Sequence, residues 1–114
     1  MTYQEWATAI EASSTSAGLS CTYYQFAKET APDPPYLVWY FPNRDDFRAD
    51  NEAYVTVNEL NLELYTARKD FALEAALEEE LDKLEIVYDK EEQYIESEEL
   101  YEVLYTTEVI IDGE

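Results

Sequence analysis

The sequence predicts a single α+β domain, with two helices packed on one face of a mainly antiparallel sheet of four to five strands. Two segments have the apolar spacing of amphipathic helices, and five others have the alternation or the short apolar runs of strands. Several connections are short enough for antiparallel hairpins. A length of 114 residues suits one domain covering residues 1–114. The predicted order is helix, three strands, helix, two strands.

The first helix is predicted to begin after Thr2. Glu5 follows three residues later, which is the spacing of a capping box. Trp6 and Ile10 recur at helical spacing, and Gly18 is well placed to end the helix.

Three strands are predicted to follow the first helix. Residues 19–27 have apolar side chains of both parities, and residues 36–41 form an unbroken apolar run that ends at Pro42. Between them, residues 29–35 contain three prolines, which exclude a helix or a central strand. Residues 42–51 are the most polar segment and are predicted to be a loop.

The third strand carries the most regular alternation in the chain. One face is leucine, from Leu60, Leu62 and Leu64. Val55 and Val57 have the opposite parity, so the pattern changes phase near Asn58. This change predicts a β-bulge or a change of partner strand.

The second helix is predicted to begin at Asp70, a residue that favours the N-cap position. Its apolar stripe consists of Leu73, Leu77, Leu81 and Leu84. Acidic side chains are expected to cover its solvent side: Glu74, Glu78, Glu79, Glu80, Asp82 and Glu85. Two further strands are predicted at residues 86–95 and 100–111, joined by a turn at residues 97–99.

The composition excludes most catalytic and metal-binding chemistry. The chain has no histidine, one cysteine and two glycines, so Ser-His or Cys-His catalysis, structural zinc and a Gly-rich phosphate loop are not expected. Pairs of carboxylates will be close by chance among 27 acids, so they carry no specific signal. We therefore predict no enzyme activity, no cofactor and no catalytic, cofactor-binding or metal site.

The net charge of −20 limits the partners that the chain can bind. Phosphate backbones and anionic membranes repel such a surface, so neither specific nucleic-acid binding nor membrane binding is expected. No apolar run approaches the roughly 20 residues of a membrane span, and the N-terminal residues lack the pattern of a secretory signal. One unpaired cysteine fits folding in the cytoplasm. The acids could be a solvated surface, or they could imitate DNA.

Several stretches carry a resemblance to a known family. They are APDPPYLVWYFP, DDFRADNEAY, NLELYTARKD and LEEELDKLEIVYDKEEQYIESEELYEVLYTTEV. Over about residues 30–109 the chain resembles small tail-completion, or tail-terminator, proteins of long-tailed phages and prophages. The most specific stretches are Ala49-Asp50-Asn51 with Tyr54, Glu63 to Thr66 with Lys69-Asp70, and Tyr94 to Glu98.

The resemblance implies a virion structural protein that is assembled in the host cytoplasm. Such proteins form a ring, commonly a homohexamer, that terminates the tail tube and joins it to the neck. The implied partners are the tail tube protein and a neck or connector protein, and DNA passes through the lumen. An acidic lumen would repel the phosphates of the passing genome. The alternatives are a phage-encoded acidic DNA mimic that inhibits a restriction or CRISPR effector, and a generic acidic adaptor.

The polar segment at residues 42–51 and the start of the following strand are the predicted contact with other subunits or partners. Polar loops between strands often carry such contacts. The residues predicted at this interface are Arg44, Asp46, Phe47, Arg48, Asp50, Asn51 and Tyr54.

Overall fold

Two helices and six strands form the part of the chain that the computed structural model describes, which is residues 1–27, 31–44, 47–49 and 52–112. At residues 47–49 and 52–55 the description covers the backbone alone. The elements in order are α1 (Tyr3–Ser16), β1 (Ser20–Tyr23), β2 (Tyr36–Tyr40), β3 (Phe47–Ala49), β4 (Glu52–Thr66), α2 (Phe71–Lys83), β5 (Asp89–Ile95) and β6 (Leu100–Ile111). The predicted α+β class and order are confirmed, and the structure adds the short strand β3 inside the segment predicted as a loop.

Local side-chain chemistry sets the beginning of both helices. Thr2 and Glu5 form the predicted capping box at the start of α1, each side chain accepting a hydrogen bond from the other's backbone N–H. Asp70 Oδ1 accepts a hydrogen bond from the N–H of Leu73 at 3.0 Å at the start of α2. Both N-caps were predicted from the sequence.

Both helices end in the paired backbone hydrogen bonds of a Schellman motif. After α1, Gly18 has a φ of 80°, and the next N–H, of Leu19, donates to the carbonyl of Ser14. After α2 the same position is taken by Glu85 with a φ of 59°, and the N–H of Ile86 donates to the carbonyl of Leu81. A non-glycine residue in this conformation gives no sequence signal for the stop.

The sheet has the strand order β1-β2-β4-β6-β5. β1 and β2 are parallel, and the other pairs along this path are antiparallel. β3 pairs with the beginning of β4, off the main path. The long strands β4 and β6 pair without interruption from Thr56 opposite Ile111 to Thr66 opposite Tyr101, and they form the centre of the sheet.

The change of phase near Asn58 coincides with a change of partner, and a register shift lies earlier, where Phe47 pairs with Val55 and Arg48 with Ala53. The pairing of β4 with β6 passes through Asn58 with no shift. On its other side, β4 pairs with β3 over residues 52–55 and with β2 over residues 61–65, and Arg44 forms an isolated bridge to Asn58 between them. The predicted alternative of a change in partner is therefore confirmed.

Two strands are shorter than the sequence predicts. β1 ends at Tyr23, not at residue 27, because Tyr24 adopts a φ of 69° that leaves the extended conformation. β5 begins at Asp89, not at residue 86, because Ile86 belongs to the turn that ends α2 and is buried in the core. Apolar residues that anchor a turn resemble strand residues in sequence.

The core lies between both helices and one face of the sheet, which we call the inner face. The helices contribute Trp6 and Ile10 from α1 and Leu77 and Leu81 from α2. The inner face supplies Leu37, Trp39, Leu60, Leu62, Leu64, Val103, Tyr105, Val109 and Ile111. The predicted leucine face of β4 is confirmed, since its three leucines are at most 1% exposed. Both helices pack on the inner face of the sheet, so no described helix covers the opposite face.

Candidate interaction surface

The uncovered side of the sheet, which we call the outer face, is rich in acids and tyrosines. Strand pairing places alternate residues of β4, β5 and β6 on it, including six acids: Glu59, Glu63, Asp89, Glu91, Glu102 and Glu108. β2 contributes Tyr36, Val38 and Tyr40 to the same face. None of the outward positions with a described side chain is basic. This face is therefore acidic and aromatic together.

Two carboxylates of the outer face converge on one phenol. Tyr65 Oη lies 2.8 Å from Glu63 Oε1 and 2.7 Å from Glu102 Oε2. A phenol carries one proton, so it cannot fully satisfy two carboxylates. Tyr40 Oη donates to Glu63 Oε2 at 2.6 Å, and Gln93 Nε2 donates to Glu102 Oε1 at 2.9 Å. The described donors around these two acids are therefore all neutral.

Burial, together with the neighbouring carboxylates, raises the pKa of both phenols. Burial raises the pKa of Tyr65, and the hydrogen bonds to Glu102 and Glu63 raise it further. Burial and then the hydrogen bond to Glu63 raise the pKa of Tyr40 in the same direction. Both groups remain hydrogen-bond donors throughout the neutral range.

An aromatic groove borders this cluster on the β2 side. It measures about 260 Å³, and its lining includes Tyr24, Phe26, Tyr36, Glu63, Tyr65 and Glu98. Tyr36 and Tyr65 are stacked, with ring centroids 5.2 Å apart and an interplanar angle of 22°. Phe26 meets the ring of Tyr36 edge-on at 5.3 Å. A second groove of about 280 Å³ lies on the other side, beside Gln93 and Glu102. The two grooves make a shallow surface with carboxylates between them.

A second acidic pair lies farther along the same face. Glu59 and Glu108 are directly opposite in the pairing of β4 and β6. Like charges in this position destabilise a sheet. The amide of Asn43 donates to Glu59 Oε2 at 2.8 Å, but no described lysine or arginine forms an ion pair with either acid.

A different set of charges lies on the inner side, between α2 and the strands. The side chain of Glu74 is only 3% exposed and lies 2.6 Å from Lys69 Nζ and 2.9 Å from Lys90 Nζ. Both lysines therefore form ion pairs with the same buried carboxylate. Lys69 also pairs with Glu92, and Lys90 with Glu78 at 2.7 Å. The prediction that Glu74 faces solvent was wrong, because both lysines meet it beneath the helix.

Burial and contacts within this inner cluster shift the pKa of Lys90, Glu78 and Tyr105. Burial acts to lower the pKa of Lys90, but contacts with Glu78 and Glu74 raise it above its ordinary value. Burial acts to raise the pKa of Glu78, but hydrogen bonds from Lys90 and Tyr105 hold it below its ordinary value. Burial, and then the hydrogen bond to Glu78, raise the pKa of Tyr105. We interpret the cluster as an attachment of α2 to the sheet.

The described residues of the predicted interface lie near one another at the beginning of β4, away from Glu63, Tyr65 and Glu102. Arg44 is exposed, and its Nη2 donates to Thr56 Oγ1 at 3.3 Å. Phe47 and Arg48 belong to β3, and Tyr54 belongs to β4. Asp46, Asp50 and Asn51 lie outside the described residues. The backbone thus places the described members beside the first part of β4, while the acid–tyrosine cluster lies near its other end.

Comparison with known proteins leaves the family open. No protein-family model matches the chain, and no curated protein is significantly similar to it. Over the described ranges, no helix is both long and apolar enough to cross a membrane. In the same part of the chain, no group of three or more acids or cysteines is arranged to hold a metal ion.

The sequence places Glu63 on the polar face of its strand, and Glu63 and Tyr65 belong to a stretch that carries the family resemblance, but nothing in the sequence groups them with Glu102. Glu102 joins them only through the register that sets Tyr65 opposite Glu102. Alternation within one strand does not predict which residue of another strand it will face.

Proposed function

We propose that the protein is a structural subunit of a phage tail, forming a ring, commonly a hexamer, that terminates the tail tube and joins it to the neck. The resemblance over about residues 30–109 supports this function. The observation that carries it here is the open outer face of a small α+β subunit, which is a surface suited to contacts with other proteins. In this proposal the protein is not an enzyme, and its partners are the tail tube protein and a neck protein.

The charge of the chain suits a ring through which DNA passes. The described lysines Lys69, Lys83 and Lys90 are paired with glutamates of the same chain. Across the whole chain 27 acids outnumber seven bases, and the net charge of −20 repels phosphate. A lumen lined by such subunits would let a genome pass without holding it.

Salt provides a test of assembly. At about 0.01 M salt the Debye length is about 30 Å, so subunits of this charge repel each other across a ring. At about 0.15 M it falls to about 8 Å, while apolar contacts are little weakened. We expect light scattering and negative-stain microscopy to show rings of about six subunits that become more stable as salt rises. A monomer at every salt concentration, with no binding to tail tube protein, would contradict the proposal.

The DNA-mimic function is a second candidate, because six acids share the outer face. Carboxylates on one continuous face are what such a mimic needs. The acids of α2, which lies against the inner face, argue against a single dedicated surface. The two candidates differ in their response to salt. Attraction between an acidic inhibitor and a basic nuclease is screened, so its complex would weaken as salt rises.

A further inference from the structure

We propose that the outer face binds an arginine-bearing segment of a partner protein, with a guanidinium group at the Glu63–Tyr65–Glu102 cluster. The site is a half-buried cluster of two carboxylates and one phenol beside an aromatic groove. Binding there does not require a ring, and it adds a specific partner chemistry to the outer face.

The cluster has more hydrogen-bond acceptors than donors. Two carboxylates offer about eight lone-pair sites, whereas Tyr40, Tyr65 and Gln93 supply only neutral donors. Close by, Asn61 Oδ1 is buried without a described hydrogen-bond donor. A guanidinium brings five N–H donors and a positive charge in a planar arrangement that matches carboxylates. It would supply the hydrogen-bond donors and the positive charge that this cluster lacks.

The groove beside the cluster suits a planar cation. Its walls include Tyr24, Phe26 and Tyr36, and Glu63 and Glu98 lie on its lining. Aromatic faces attract cations, and arginine stacks on them more readily than lysine because its guanidinium is flat and weakly hydrated. A lysine would bring one compact, strongly hydrated charge instead.

Charge favours a basic partner over a second copy of this chain. Six acids and no described basic side chain occupy the outward strand positions, and the opposed pair Glu59 and Glu108 extends the same negative field. Two such faces would repel each other. A segment with several arginines would neutralise both acidic pairs along the face.

The test uses the full-length protein and two capped hexapeptides, one of arginine and one of lysine. Binding is measured by fluorescence anisotropy at about 0.15 M salt, where long-range attraction is largely screened. The double variant Glu63→Gln with Glu102→Gln is compared with Glu79→Gln with Asp82→Asn. Both variants lose two charges, but Glu79 and Asp82 are exposed on α2, away from the outer face. Urea denaturation checks that both variants are folded.

We expect the outer-face variant to bind the arginine peptide at least about tenfold more weakly, and the α2 variant to change affinity less than about twofold. Amide NMR shifts of the unaltered protein should concentrate at Tyr65, Gln93 and Glu102. Equal losses in the two variants, equal affinity for the lysine peptide, or shifts confined to α2 would overturn the proposal. Self-association that only the outer-face variant abolishes would assign the face to a second copy instead. Rings that form without peptide binding would contradict only this inference, whereas peptide binding by a protein that never assembles would contradict only the tail function.

Discussion

Replacing Glu74 with glutamine should destabilise the protein far more than replacing Glu79, although both are glutamates of α2. Glu74 is 3% exposed and paired with Lys69 and Lys90, whereas Glu79 is exposed. The substitution keeps the shape of the side chain and removes its charge. It leaves two lysines with fewer counter-charges in a partly buried place.

The loss of stability in Glu74→Gln depends on the ion pairs that each lysine keeps. Breaking a fully buried ion pair costs about 3–5 kcal/mol. Here Lys69 and Lys90 are 22% and 38% exposed and keep contacts with Glu92 and Glu78, so the cost is reduced. We expect a loss of about 1–3 kcal/mol for Glu74→Gln, and of less than about 0.5 kcal/mol for Glu79→Gln.

Urea denaturation at neutral pH measures the difference. For a loss of about 2 kcal/mol and a slope of about 1.5 kcal/mol per molar urea, the midpoint falls by about 1.3 M. The measurement is repeated at several protein concentrations, so that any contribution of assembly is separated. The difference between the variants should persist at about 0.5 M salt, because buried pairs are weakly screened. Midpoints that shift equally and slightly would show that Glu74 is accessible to water.

Three further predictions concern the core, pH and the predicted contact segment. Leu77→Ala should cost about 2–5 kcal/mol of unfolding free energy because Leu77 is fully buried. Leu73 is half-buried, so Leu73→Ala should cost less in the same urea measurement. Equal losses would show that the buried face of α2 is not the one described here. Burial and carboxylate contacts raise the pKa of Tyr65 and Tyr105. The stabilisation from these two protonated phenols is therefore complete below about pH 10 and is lost as pH rises above it. Unfolding midpoints should fall at alkaline pH, and they should fall less steeply in Tyr65→Phe and Tyr105→Phe. An unchanged slope in both variants would exclude these phenols as the cause. Amides of residues 42–51 should exchange hydrogen more slowly after assembly, and unchanged exchange would remove this segment from the interface.

The sequence alone predicts the elements wherever a local interaction decides them. Thr2 and Glu5, Gly18 and Asp70 act on neighbouring backbone groups, so the beginnings of both helices and the end of the first follow from residue type and spacing. The alternating leucines of β4 likewise predict its buried face, because side chains of a strand alternate in direction whatever its partners are.

The tertiary structure alone decides how residues from different elements meet. Helical spacing sets Glu74 beside the apolar stripe and Glu79 opposite it, but only the tertiary structure brings Lys69 and Lys90 to Glu74 beneath α2. Tyr65 and Glu102 meet because one register of β4 and β6 sets them opposite each other. Register and helix placement minimise the free energy of the whole core, so they depend on many side chains at once. The Glu63–Tyr65–Glu102 cluster and the ion pairs of Glu74 therefore result from packing between elements, and no single segment of the sequence predicts them.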